Sequence, residues 1–284
     1  MKLRKFICVL GVALALIFTN GFAQASQFTI AIMQDDKDAA KRYKALEAYL
    51  AHKGIQLSFV ETASYSSAAA MFATGKADAM FSGSAIAGIF IMKELAAPLV
   101  RPVAKDNIST YHAVVLGPKG SPKFSGGADY FKGKKVAFTA LASSGEVYFN
   151  SIPDIKLAQA NILKLGSHGA CIDALSKGAV NIAIVKNRVW EKRKKEYPHI
   201  EVAGEDKEEN PDNTLIASLR ADAGIAFRVS AVLLELNKDI SPEAKAARDS
   251  LDIKGFIKTT PADFKHTMEL LRKAGVSKSF NFQF

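Results

Sequence analysis

An alternation of two hydrophobic periods constrains the fold of this chain more than any other feature. Phe28 to Met33 alternates as a strand does. From Ala39 to His52 the residues Tyr43, Leu46, Tyr49 and Leu50 recur at helical spacing, and Gly54 stops the run. Ile55 to Val60 reads as a second strand. Ser64 to Thr74 reads as a second helix, opened by hydroxyls and closed by Gly75. Ala77 to Phe81 and Ser84 to Lys93 repeat the pair. Three strand–helix units in a row predict a parallel sheet covered by helices on both faces.

The rhythm then breaks and restarts. Leu99 to Ala104 and Tyr111 to Leu116 read as strands around a turn at Asp106-Asn107. Gly117 to Gly127 reads as surface loop. A second α/β series begins at Lys135, with strands at Ile162 to Leu165, Asn181 to Val185 and Ile200 to Ala203. Its helices run from Gly166 to Gly178 and from Arg188 to Tyr197. Gly204 to Asp212 reads as a charged loop. Thr214 to Leu219 reads as a strand crossing back, and helices follow at Ala223 to Asn237, Pro242 to Ser250 and Pro261 to Ala274. No element is read between Ser250 and Pro261. Two α/β series predict two lobes, 26–110 with 211–284 and 111–210, with crossings near Tyr111–Leu116 and Thr214–Leu219. A ligand gripped at the carboxyl ends of the strands is the natural use of that arrangement.

One stretch carries chemistry. Val136 to Phe138 is a short buried-type strand, Thr139 to Gly145 is small and hydroxyl-rich, and a helix begins near Glu146. Backbone N–H groups at such a helix start, with the Ser143 and Ser144 hydroxyls, would form an anion cradle. An ordinary loop with Ser143 as helix cap is the alternative.

The first residues read as a targeting segment, 1–25. Lys2, Arg4 and Lys5 precede an apolar core from Phe6 to Phe18, and Ala23-Gln24-Ala25 is a small-x-small cleavage site. Cys8 has no lipobox before it. Cleavage after Ala25 would leave 259 of the 284 residues and 35 of the 38 basic ones against 28 acids, a net charge of +7. The expected product is exported to a periplasm. A basic exported chain without a basic-aromatic motif suits a small anionic ligand and not nucleic acid. Cys171, the one cysteine left, sits among small apolar residues and reads as core.

In order and spacing, four blocks resemble the periplasmic substrate-binding proteins of phosphate, phosphite and phosphonate ABC importers. These are the phosphonate-binding type of the type II periplasmic fold. The blocks are Ala63-Ser64-Tyr65-Ser66-Ser67 with Gly75-Lys76-Ala77-Asp78; Phe81-Ser82-Gly83; Lys132 to Phe138 leading to Ser143-Ser144-Gly145; and Gly166-Ser167-His168 with Ala174-Leu175 and Gly178. The resemblance implies an α/β protein of two lobes, each a mainly parallel sheet flanked by helices. It implies a Tyr65 that closes over the ligand, a Ser143-Ser144 turn that holds oxyanion oxygens, and a His168 that points into the cleft. It also implies an inner-membrane ABC permease as partner. Ser82 and Ser84, beside Gly83, are further candidate donors.

The chain departs from the family pattern at Ala142, where a third hydroxyl is usual, and at Ala87, where a second tyrosine is usual. It departs again at Lys186-Asn187-Arg188, where an acidic residue is common. If Lys186 and Arg188 face the cleft, they would repel an ammonium, so a purely anionic ligand is expected over an aminophosphonate. A ligand-sensing role for a membrane sensor kinase is the other function this sequence fits. Catalysis is not expected, since no Gly-x-Ser-x-Gly elbow and no His-x-x-x-His or His-Glu-x-x-His pair is present. No cofactor or metal is expected.

Overall fold

The computed structural model describes residues 27–32, 39–62 and 64–282. The expected targeting segment, Met33 and Ala63 lie outside these residues. The first strands and helices follow the alternation of the sequence: β1 Phe28–Ile32, α1 Ala39–His52, β2 Leu57–Glu61, α2 Tyr65–Ala73, β3 Ala79–Ser82 and α3 Ser84–Met92. The middle of the chain gives β4 Ala96–Ala104, β5 Thr110–Tyr111, β6 Ala113–Pro118, β7 Lys135–Thr139, α4 Ser144–Ser151, β8 Asn161–Leu165, α5 His168–Ser176, β9 Ile182–Lys186, α6 Asn187–Arg193 and β10 Ile200–Glu205. The remainder gives β11 Asn210–Pro211, β12 Thr214–Ser218, α7 Ala223–Glu235, α8 Pro242–Leu251, β13 Ile253–Lys258 and α9 Lys265–Lys273.

Two sheets organise these elements. The first has the order β13-β4-β12-β3-β1-β2, and the second β10-β6-β9-β7-β8. Only part of each is parallel, which corrects the expectation of mainly parallel sheets. β1 pairs parallel with β2 and β3, and β7 parallel with β8 and β9. β12 runs antiparallel to β3 and β4, β13 antiparallel to β4, and β6 antiparallel to β9 and β10. The physical reason is the traffic between lobes: β6 enters the second lobe and β12 returns to the first, each against the grain of the βα units.

The lobe crossings lie slightly earlier than expected. Thr110–Tyr111 and Asn210–Pro211 pair antiparallel as a two-stranded ribbon between the sheets. The segment read as a charged loop thus contains the end of β10 and all of β11. Strand β13 is a second correction, since no element was expected there.

Alternation along the strands supplies both faces of each sheet, because successive side chains point to opposite sides. In the first lobe, Ile30, Phe81 and Leu215 pack under α1, α7 and α8, with Leu46, Leu50 and Val229. Ala31, Met80 and Ile216 face the other way, toward α2, α3 and α9, with Phe72, Phe90 and Leu271. In the second lobe, Val136, Phe138 and Ile184 meet Phe149 of α4. Ala137, Ala183 and Val185 meet Cys171, Ile172 and Trp190 on the opposite face. Burial pushes the Cys171 thiol up to about 11, as befits a core residue. The second face of the first lobe also contains Ala142 and Val147 from the second lobe, so the lobes meet where α4 packs against α3 and α9.

Candidate functional site: a cleft where four helices begin

Between the lobes lies a cavity with about 470 Å³ of empty space, open water at its mouth included. Its walls are helix starts. Tyr65 is the first residue of α2, and Gly83, Ala85 and Ile86 belong to the cap and first turn of α3. Ser143 and Ser144 begin α4, and His168 begins α5. The first N–H groups of each helix have no intrahelical acceptor and carry the positive end of its dipole. Four such ends converge on one cavity.

The α4 turn is built in detail. Ser143 caps the helix by accepting from the Glu146 N–H at 3.2 Å, and it lines the cavity as well. The cap reading of this serine holds, and the same residue sits on the cavity wall. Ser144 Oγ is buried and, among the described residues, has no hydrogen-bond partner. Glu146 is buried and braces the turn from behind. One carboxylate oxygen accepts from the Ala142 N–H at 2.6 Å, and the other meets Lys164 Nζ at 2.6 Å. This holds Ala142 in a left-handed conformation, with φ of 46°. Gly145 is required by contact, since a Cβ there would lie 2.3 Å from the Ile184 carbonyl oxygen.

His168 is buried, and its Nδ1 lies 3.3 Å from Thr139 Oγ1. Burial first, and Lys186 second, lower its pKa to about 3. The imidazole is thus neutral at pH 7 and keeps one N–H donor. Its helix is capped by Ser167, which accepts from the Ala170 N–H at 3.1 Å. On α2 the Ser64 hydroxyl does the same for the Ser67 N–H at 3.1 Å, so Ser64 serves as a cap.

The remaining wall comes from the crossings: Tyr111, Lys186, Asp212 and Asn213. Lys186 Nζ donates to Asp212 and sits 4.6 Å from the centroid of the Tyr111 ring. Arg188 is not among the lining residues and donates twice to Asp106. Of the two cations whose facing the sequence left open, only Lys186 lines the cavity, with a carboxylate bonded to it. A carboxylate does line the cavity, supplied by the second crossing and not by the strand end after Val185.

Of the expected contacts, Tyr65, Ser143, Ser144 and His168 surround this one cavity. Ser82 and Ser84 do not line it. Ser82 is fully buried, with its hydroxyl donating to the Gly83 carbonyl at 3.0 Å. The Ser84 hydroxyl bonds the Tyr111 hydroxyl at 2.5 Å and faces a smaller cavity shared with Ser144, Asp206, Asn210 and Thr267. Tyr111, Asp212 and Asn213 were missed from the sequence. Their signal was positional: they sit where the chain changes lobes, which is where a cleft must be.

A family described as the periplasmic substrate-binding protein of the phosphonate ABC transporter matches residues 28–264. This chain belongs to that family. Its members are substrate-binding components of a transporter, small-ligand binders that work beside a permease in the periplasm. No curated protein sequence matches the chain. Solved structures share the two-lobed fold at low identity. A Xanthomonas citri protein bound to chloride ion has a TM-score of 0.70 at 16% identity, covering 88% of this chain and 98% of its own. PhnD1 from Prochlorococcus marinus in complex with methylphosphonate has a TM-score of 0.68 at 20% identity, covering 87% and 98%. A binding-protein component of an ABC phosphonate transporter from Pseudomonas aeruginosa has a TM-score of 0.69 at 13% identity, covering 89% of each. Among the described residues of this family member, no helix is long and apolar enough to cross a membrane.

Proposed function

We propose that this protein captures a small oxyanion of the phosphonate, phosphite or phosphate kind between its lobes and presents it to an inner-membrane ABC permease. The convergence of four helix N-termini on one cavity carries this reading, because unpaired N–H groups and aligned dipoles favour negative charge. Ser143 and Ser144 supply hydroxyls, His168 supplies a neutral donor, and Tyr65 covers the mouth. The lobes are 26–110 with 211–284 and 111–210, and ligand-linked closure turns them about the ribbon of β5 and β11. The methylphosphonate of the Prochlorococcus relative and the chloride of the Xanthomonas relative are both anions, which supports the same chemistry.

The test is a thermal-shift panel of phosphate, phosphite, methylphosphonate, aminoethylphosphonate, sulfonates and carboxylates. A ligand that binds only the native state raises its stability by mass action. A phosphorus oxyanion should raise Tm, and silence toward all four would end the proposal. The Lys186–Asp212 pair bears on the choice among them. It presents no net charge, so the repulsion that two facing cations would exert is absent. Methylphosphonate and aminoethylphosphonate should bind within about tenfold of one another, a difference of about 1.4 kcal/mol.

A further inference from the structure

Beside the smaller cavity that Asp206 shares with Ser144, the segment leading out of β10 meets the C-terminal helix in a cluster of three carboxylates and one imidazole. Glu208 belongs to that segment, while His266 and Glu269 lie on α9, three residues apart and so on one helix face. One ligand-type atom from each of Glu208, His266 and Glu269 lies within 4.8 Å of the others. Asp206 accepts from His266 Nε2 at 2.8 Å. The His266 side chain is nine-tenths buried, and its Nδ1 has no hydrogen-bond partner among the described residues. Nδ1 faces Glu208, whose nearest oxygen is 3.6 Å away, beyond hydrogen-bond reach. Among the described residues no lysine or arginine forms an ion pair with Asp206, Glu208 or Glu269.

We propose that Glu208, His266 through Nδ1, and Glu269 form a binding site for a divalent transition-metal ion, with water completing the coordination. The donor set is one imidazole nitrogen and two carboxylates, which suits Zn²⁺ and its neighbours better than Ca²⁺ or Mg²⁺. In the neutral imidazole, the Asp206 bond to Nε2 leaves the Nδ1 lone pair facing the site, the arrangement seen behind metal-bound histidines. Tetrahedral ligands at about 2 Å from zinc lie roughly 3.3 Å apart. The spread here is somewhat wider, and Glu208 is exposed and can swing inward. A bound ion would tie the segment between lobes to α9, which packs on α3 of one lobe and α4 of the other.

Calorimetry with Zn²⁺ on the untagged full-length mature protein tests this, alongside Co²⁺ as a visible spectroscopic probe. One equivalent of Zn²⁺ should bind, and Co²⁺ should develop visible absorption. His266→Ala should abolish both signals, and Glu269→Gln should weaken Zn²⁺ at least about tenfold. Asp206→Asn should weaken it about 10- to 100-fold, the usual cost of losing the group that orients a ligand. His199→Ala, whose imidazole bonds Ser176 elsewhere, should change nothing. Circular dichroism and an unchanged anion thermal shift confirm that each variant is folded. Absence of one-to-one uptake, or uptake that survives His266→Ala, overturns the proposal. So does an NMR titration showing His266 as an imidazolium salt-bridged to the carboxylates without taking up Zn²⁺.

Discussion

The two lobes face the same cavity with different chemistry. The first presents Tyr65 and a nearly bare backbone at Gly83, Ala85 and Ile86. The second presents hydroxyls, an imidazole and an ammonium: Ser143, Ser144, His168 and Lys186. The difference is also one of construction. The Gly83 turn has no side-chain cap, and a Cβ on Gly83 would meet nothing within 4 Å. The α4 turn is capped by Ser143, braced by Glu146, and pressed against Ile184 at Gly145. An oxyanion needs donors fixed in advance on one side and a wall that closes on the other. On the proposed reading, the second lobe is the fixed side.

The largest effect should separate the two glycines. Gly145→Ala forces a methyl against a backbone carbonyl that cannot yield, and overpacking of this kind costs about 1–3 kcal/mol or more. Gly83→Ala enters open space and should stay within about 0.5 kcal/mol. Urea denaturation of both variants decides it, and equal losses would erase the contrast between the lobes.

Binding should divide the same way. Ser144→Ala removes a hydroxyl with no hydrogen-bond partner among the described residues, so on the proposed reading its loss falls on the ligand. Methylphosphonate affinity should drop by about 1.5–3 kcal/mol, the range for hydrogen bonds to charged groups. Tyr65→Phe, on the closing wall, should cost about 1 kcal/mol or less if its hydroxyl meets the ligand only as a neutral donor. Calorimetry that found the tyrosine more costly than the serine would reverse the assignment of fixed and closing sides.

The smallest effect is on pH. His168 has its pKa lowered from 6.5 to about 3. Between those values the unfolded chain binds a proton that the folded chain refuses. Stability is therefore fully present above about 6.5 and falls as pH drops toward 3. From about pH 7.5 to 5.5 the expected loss is roughly 1 kcal/mol. His168→Gln should remove that slope from the urea-derived stability, and an unchanged slope would place the titrating group elsewhere. The first lobe offers no buried histidine facing the cavity to do the same.

The sequence revealed what local periodicity and capping control. The starts of α2, α4 and α5 were legible because Ser64, Ser143 and Ser167 are caps, and caps are local. Strand β13 was not legible, because Ile253-Lys254-Gly255-Phe256-Ile257-Lys258 is a sheet edge. Its lysines and glycine mimic a loop, as edge strands tend to. Asp212 was not legible as a cavity residue because only the return crossing brings it to Lys186, which is 26 residues away in the chain. Glu146 read as a helix opener, and nothing local shows that it is buried behind the turn it stabilises. Arg188 read as a possible cleft cation until Asp106, across the fold, claimed it.

The order of the first sheet has a consequence for how the molecule comes into being. β12 lies between β4 and β3, and β13 closes the edge beyond β4. As the chain emerges amino end first, β1, β2 and β3 can pair at once, but β4 has no neighbour until residues 214–218 arrive. All five strands of the second sheet lie between Ala113 and Glu205, so that lobe can complete itself in the meantime. The lobe that begins first therefore finishes last. Until then it exposes the flanks of β3 and β4, which are unpaired strand edges of the kind that aggregate. A nascent chain stalled after Glu205 would hold a finished second lobe beside an open half-sheet, and a chaperone acting on this protein would have that half-sheet to shield.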